Sequence, residues 1–259
     1  MRGIDISRWQ GEFDIMKAVK ENNLKFVVIK AGGADGGLYK DRYFDDYYKQ
    51  AKAAGVAVGC YFFGNATNTL EAEMEFNYWK TLVAGKQFDF PMFYDVESEA
   101  MMKLGKRKLT DVIKKMCELL EKNAFWAGIY SSTSVYDNKV YDKELKRYTH
   151  WVADWRGEKP ALASGNETQL WQTGAVKING IDVDNDVCYV DYFSEKIKEL
   201  KLNGYGSEKP KKDVFLIACE VWAGLWGSGE YRKRVLEAKG YNYEEVQKMV
   251  NKLRKAAES

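Results

Sequence analysis

A chain of 259 residues with 46% hydrophobic and 30% charged residues has room for one barrel-sized domain and a small appendage. Its net charge of +2 makes no demand for nucleic acid as a partner, although a slight positive balance suits an anionic polymer such as a cell wall. A single histidine, His150, excludes a His-rich zinc site by count, and without a G-x-S-x-G elbow it builds no serine-hydrolase triad. The chain enters a strand pattern at once, Gly3–Ser7, with no leader-like segment ahead of it. Helical spacing follows over Phe13–Asn22, then a strand at Phe26–Ala31 (FVVIKA) and a helix over Tyr43–Ala54 closed by Gly55. Val56–Phe63 is a strand, Leu70–Val83 a helix ended by Gly85, and Phe90–Glu97 a strand. Leu109–Lys122 is a helix and Trp126–Ser131 a strand. The rhythm then changes: Thr149–Trp155, Thr168–Gln172 and Asp186–Tyr192 have strand character without long helices between them.

Strand–helix alternation points to a parallel sheet, and eight strand candidates fit a closed but irregular TIM-like (β/α) barrel over residues 1–202. An open doubly wound sheet is the competing architecture. Residues 203–212 (NGYGSEKPKK) are polar and read as a linker. Residues 213–259 carry three helical stretches broken at glycines, which predicts a small three-helix bundle too short for a cleft of its own. No apolar run is long enough to cross a bilayer, so no membrane partner is expected. The four cysteines, Cys60, Cys117, Cys188 and Cys219, form no C-x-x-C pair and read as buried free thiols.

Carboxylates remain as the candidates for chemistry. Asp95 and Glu97 end the strand FPMFYDVE, and alternation puts both on one face. In a barrel that face is the interior, at the end where active sites sit. Two neighbouring acids repel, so one holds its proton near neutral pH, as glycoside hydrolysis requires. Asp5 and Ser7 share a face at the end of the first strand. Asp182, Asp184 and Asp186 crowd the eighth; alternating acids there also suit a calcium loop, but the EF-hand pattern is missing. Tyr61 and Tyr130 lie at strand ends and suit sugar contact. Trp9, Trp151, Trp155 and Trp171 are divided between sugar platforms and core. Lys30, late in its strand, is placed to pair with a cleft acid.

The order and spacing of GIDISRWQG (3–11), FVVIKAGG (26–33), GCYFF (59–63), FYDVES (93–98), GIYSS (128–132), HWVADW (150–155), LWQTG (170–174) and GIDVDNDV (180–187) resemble the lysozymes of glycoside hydrolase family 25 over roughly residues 1–200. The resemblance implies an irregular eight-stranded barrel that hydrolyses, with retention, the β-1,4 bond between N-acetylmuramic acid and N-acetylglucosamine in bacterial peptidoglycan. It implies no metal and no organic cofactor. It makes Glu97 the general acid/base, Asp95 its close partner, and Asp5 the N-terminal acid of the family. Asp186 is matched to the acid of the eighth strand, with Asp182 and Asp184 as alternative registers. Phe62 stands where many members carry His after the strand tyrosine, which implies a lost hydrogen-bonding group. The nucleophile is either an enzyme carboxylate, Asp186 or Asp95, or the substrate's own acetamido oxygen, and the D-x-E adjacency favours the second.

Residues 223–251 resemble a short wall-binding repeat of the CW-seven type, which implies a muropeptide ligand. Trp226, Glu230 and Arg232 face that ligand, or else Trp226 is core and Arg232 solvated. A wall substrate without a leader suggests a phage endolysin made in the host cytoplasm, with an exported bacterial autolysin as the alternative. A non-catalytic wall-binding lectin is the rival class. The oligomeric state is left open.

Overall fold

The computed structural model describes residues 1–206, 213–238 and 240–257, which fall into two compact units, Met1–Gly206 and Ser207–Ser259. The first unit is built on nine strands: β1 (Arg2–Ile6), β2 (Phe26–Gly33), β3 (Tyr39–Lys40), β4 (Ala57–Phe63), β5 (Met92–Asp95), β6 (Ala127–Ser132), β7 (Thr149–Ala153), β8 (Leu170–Ile178) and β9 (Ile181–Cys188). They hydrogen-bond in the order β1-β9-β8-β7-β6-β5-β4-β2-β3, and β1 also pairs with β2. That last pairing, parallel with Gly3 opposite Phe26, closes eight strands into a barrel and excludes the open sheet. The short β3 is a spur on β2.

The outer layer holds helices α1 (Ile15–Asn22), α2 (Phe44–Ala53), α3 (Thr69–Val83), α4 (Glu99–Met102), α5 (Lys106–Lys122) and α6 (Thr133–Asn138). Each longer helix turns one apolar stripe to the barrel. In α5 the stripe is Leu109, Val112, Ile113, Met116, Cys117 and Leu120, spaced by three and four. Alternate residues of the strands, such as Ile4, Val27, Ile29, Phe62 and Tyr94, meet these helices in one large core. The intervening residues fill the barrel: Phe26, Val28, Phe93, Trp151, Leu170 and Cys188. Helix α7 (Phe193–Glu199) adds Phe193 and Ile197 to this inner cluster. The motif glycines make room for the aromatics. A Cβ on Gly3 would lie 2.5 Å from the Phe26 ring, and one on Gly128 2.5 Å from that of Phe93.

The last strands depart from expectation. β8 and β9 form an antiparallel hairpin, and β9 also runs antiparallel to β1. The hairpin turns at Asn179 and Gly180, both at positive φ (53° and 82°), the pairing that a two-residue hairpin loop favours. The final barrel strand is therefore Ile181–Cys188 instead of Asp186–Tyr192. The Asp-rich segment is a strand paired on both sides, so it forms no calcium loop.

The expected linker also starts too early. Asn203 is fully buried, its side chain donating to the Phe90 carbonyl (2.8 Å) and accepting from the Trp126 amide (2.8 Å), so it belongs to the barrel unit. Residues 207–212 of that expected linker lie outside the described residues. All four cysteines are free, three buried and Cys219 half-buried.

The second unit has helices α8 (Val214–Trp222), α9 (Gly229–Ala238) and α10 (Tyr243–Ala257). They enclose a core of Ile217, Ala218, Val221, Leu236, Val246 and Val250, the predicted three-helix bundle. Among the described residues no helix is long and apolar enough to cross a membrane.

Candidate active site

The C-terminal ends of the strands open into a cavity of about 300 Å³. Its acids come from three strands: Asp5 on β1, Asp184 on β9, and Asp95 with Glu97 at the end of β5. The period of two that points Phe93 into the barrel also points Asp95 and Glu97 inward, one level higher each. Asp95 is buried, and its Oδ1 lacks a hydrogen-bond partner, an acceptor left without a donor. Glu97 reaches out into the open mouth. Burial, then the neighbouring Glu97, holds the Asp95 carboxyl well above the usual carboxylate range, with Lys30 opposing. The Glu97 carboxyl is raised too, because the cavity walls strip water from a group whose tip stays accessible; Lys30 again opposes and Asp184 adds to the rise. The buried Lys30 ammonium lies 4.5 Å from the centre of the Phe63 ring and 5.9 Å from that of Tyr61.

On the opposite wall a chain of directed hydrogen bonds converges on Asp5. The Tyr130 hydroxyl donates to Gln172 Oε1 (2.9 Å), and Gln172 Nε2 donates to Asp5 Oδ2 (2.9 Å). Beneath them Trp151 Nε1 donates to Asp186 Oδ1 (2.8 Å), while Asp186 Oδ2 is buried without a hydrogen-bond partner. Burial, then the charge of neighbouring Asp5, holds the Asp186 carboxyl well above the ordinary range. Burial, then Asp184, pushes the Asp5 carboxyl up to about 7.

Most of the expected residues meet here: Asp5, Ser7, Lys30, Tyr61, Asp95, Glu97, Tyr130 and Trp151 all line the cavity. Three differ in role. Asp186 is fully buried under the floor, and Asp184, the alternative register, faces the cavity in its place. Trp151 is a floor residue, packed edge-on against Phe93 (5.0 Å) and tilted against Tyr130 (4.5 Å). Trp171 points outward from β8, and its indole N–H donates to the Asp154 carbonyl (2.7 Å). Ser7 caps the short turn Arg8–Gln10, which presents Trp9 and Gln10 at the rim. Phe62 points away from the cavity and stacks on Trp79 (5.6 Å), so the departure at that position removes nothing from the site. His150 lies on the outer face, with Nε2 2.8 Å from Asp142 and the ring stacked on Tyr136. Gln172 was not among the expected residues, although its parity with Leu170 in LWQTG marks it as inward-facing.

In the helical unit the motif residues hold the fold. Trp226 donates to Glu220 Oε2 (2.9 Å), meets Tyr241 edge-on and packs against the core. Arg232 is half-buried, and its Nε and one terminal nitrogen donate to the Gly227 carbonyl (2.9 and 2.6 Å). Glu230 is exposed in the first turn of α9.

A closed barrel with carboxyls from opposed strands around its C-terminal mouth is the layout of a glycoside-cleaving barrel. Comparison with known proteins makes the class specific. The sequence profile of Glycosyl hydrolases family 25 matches residues 4–181, and the chain belongs to that family. A CW_7 repeat matches residues 216–253. The autolytic lysozyme of Clostridium acetobutylicum is 32% identical over 199 residues, which cover 76% of this chain and 57% of that protein. The chain thus spans little more than half the length of that relative. Among solved structures, the CTP1L endolysin superposes with a TM-score of 0.67 at 25% identity, covering 76% of this chain and 69% of its own. A family 25 glycosyl hydrolase from Bacillus anthracis, at 22% identity, shares the fold with a TM-score of 0.65 over 78% of this chain and 93% of its own.

Proposed function

We propose that this chain is an N-acetylmuramidase, a lysozyme cutting the β-1,4 bond between N-acetylmuramic acid and N-acetylglucosamine in peptidoglycan. In this reading the barrel cuts and the helical unit holds the enzyme on the wall. The observation that carries it is the Asp95–Glu97 pair at the cavity mouth, with both carboxyls raised and only Glu97 reaching the open side. Glu97 gives its proton to the departing O4 of N-acetylglucosamine as the C1–O4 bond breaks. The 2-acetamido oxygen of muramic acid closes on C1, and the unpartnered Asp95 Oδ1 accepts the acetamido N–H. Asp5 and Asp184 supply negative charge opposite the developing oxocarbenium. Water then opens the cyclic intermediate with Glu97 as base, which restores the starting configuration. Asp186, sealed under Trp151, is no nucleophile in this scheme.

Family membership and the lysozyme relative support this chemistry, and the CW_7 match supports wall binding. The likenesses to the CTP1L endolysin and to the autolytic lysozyme of Clostridium acetobutylicum both support action on the cell wall. The test is product analysis on defined peptidoglycan. Wild type should release new reducing ends on N-acetylmuramic acid, and Glu97→Gln should not. New amino groups in place of reducing ends would mean a peptide- or amide-cleaving enzyme.

A further inference from the structure

Helix α8 has no polar side. In VFLIACEVW only Glu220 carries a charge, and its carboxylate accepts the Trp226 indole N–H (2.9 Å). Ile217, Ala218 and Val221 face the core of the bundle. A bundle helix ordinarily turns a charged face to water. Here the side away from the core presents Phe215, Leu216 and Trp222, which are 46%, 53% and 48% exposed, around the half-buried Cys219. Leu225, just past the helix, is 73% exposed. This stripe carries its own two-fold symmetry. At about 100° per residue, Leu216 and Trp222 lie one turn either side of Cys219 and about 60° to opposite sides of it. Rotation by a half-turn about an axis through Cys219 therefore lays Leu216 of one copy on Trp222 of another, and the reverse. The same rotation lays Phe215 on Ala223, which is exposed and small enough to leave a seat for the ring.

We propose that α8 is a homodimer interface, on which the α8 helix of a second copy of this chain seats antiparallel with Cys219 on the two-fold axis. A two-fold contact uses one patch twice, so the patch must complement itself. Phe215 fills the space over Ala223, Leu216 packs on the Trp222 ring, and the small Cys219 at the centre lets the two backbones approach. The two Glu220 carboxylates fall on opposite flanks, so no like charges meet in the seam. A wall polymer or a bilayer would account for an apolar stripe but not for this pairing of positions. The exposed parts of Phe215, Leu216, Trp222 and Leu225 offer on the order of 450 Å² per copy, so a pair buries about 1,000 Å² with its flanks, the lower end of a specific interface. That size sets a reversible dimer with a dissociation constant in the micromolar range. On the wall-binding reading, a pair carries two helical units, and release from a polymer needs both to let go; the dimer itself does not depend on that reading.

The test is sedimentation equilibrium of the full-length chain, which should show one chain and two chains exchanging as concentration rises. Leu216→Glu sets a carboxylate against Trp222 of the other copy and should weaken association by about a hundred-fold or more, with helix content by circular dichroism unchanged. Ala223→Leu fills the seat of Phe215 and should weaken it by about ten-fold. A short bis-maleimide should join two chains through Cys219, the one cysteine of the four that is not buried. Cys219→Ser should lose that cross-link and keep the dimer. A single-chain mass at every concentration overturns the proposal, and so does a dimer that tolerates Leu216→Glu. Absence of wall binding by the full chain removes the adhesion reading, while the mass decides the dimer on its own.

Discussion

In the barrel unit, the strand-end residues Asp5, Asp95, Glu97 and Tyr130 converge on one cavity. In the helical unit, the comparably prominent Trp226 and Arg232 spend their side chains on their own fold, one on Glu220 and Tyr241, the other on a loop carbonyl. The difference has a geometric source. A closed barrel leaves a strand only two sides, so parity alone decides whether a polar residue faces the cavity. A helix offers a continuous circumference, and a Trp next to a glycine turn serves equally as staple or platform. Chemistry concentrated in the barrel and adhesion in the bundle should therefore separate under mutation.

The largest effect belongs to Glu97. Glu97→Gln keeps the shape and loses the proton, so hydrolysis should fall by about a hundred- to ten-thousand-fold, the usual worth of a general acid. Binding to insoluble walls should persist. Near-normal turnover in this variant would remove Glu97 from the mechanism.

The two acids of β9 come next and sharpen the comparison within the barrel. Asp184 faces the cavity, whereas Asp186 is fully buried and held by the Trp151 indole. An asparagine at 186 can still accept from Trp151 through its side-chain oxygen. Asp186→Asn should therefore change kcat/KM by less than about three-fold, while Asp184→Asn should cost roughly ten-fold or more by removing charge near the transition state. The reverse order of severity would mean that the β9 register assigned to the chemistry is wrong.

Lys30 tests the electrostatics. It opposes the rise of both Asp95 and Glu97, so Lys30→Met should let both carboxyls rise further. A higher pKa on the acid keeps it protonated to higher pH, which moves the alkaline limb of the rate profile upward. A higher pKa on its partner delays ionisation, which moves the acid limb upward as well. The whole bell should shift to higher pH, measured as kcat/KM on soluble glycan. A downward shift would contradict the placement of Lys30 beside the pair.

Much of this was legible in the sequence because period-two alternation carries it. FPMFYDVE gave Asp95 and Glu97 one face, and the motif order carried the barrel. Other features obeyed rules the strand reading did not apply. Asn179-Gly180 is a hairpin turn, and weighing it would have placed β9 at Ile181–Cys188 and set Asp184 above Asp186 on the inner face. Parity alone sends Phe62 and Trp171 outward, opposite to Tyr61 and Gln172. Asn203 had no such signal. It sits in a polar, glycine-rich stretch and is recognisable only from the carbonyls and amides it joins.

That residue sets the last and smallest expected effect. Ending the chain after Gly206 removes the helical unit but keeps Asn203, whose backbone bonds Phe88 and Ala124 and whose side chain bonds Phe90 and Trp126. Cleavage of small soluble muropeptides should then stay within about two-fold of the full chain, since linking a weak wall binder to an enzyme raises effective concentration without altering the chemistry. Clearing of intact walls should weaken more, because there the local concentration matters. Ending the chain after Leu202 removes the buried amide as well and leaves the Phe90 carbonyl and the Trp126 amide without their partner, at about 1–3 kcal/mol for each buried group left unpaired. The shorter protein should unfold at a distinctly lower temperature than the one ending at Gly206. Equal melting temperatures would show that the barrel ends before Asn203. Equal wall clearing by the full chain and the Gly206 form would show that the helical unit does not serve adhesion.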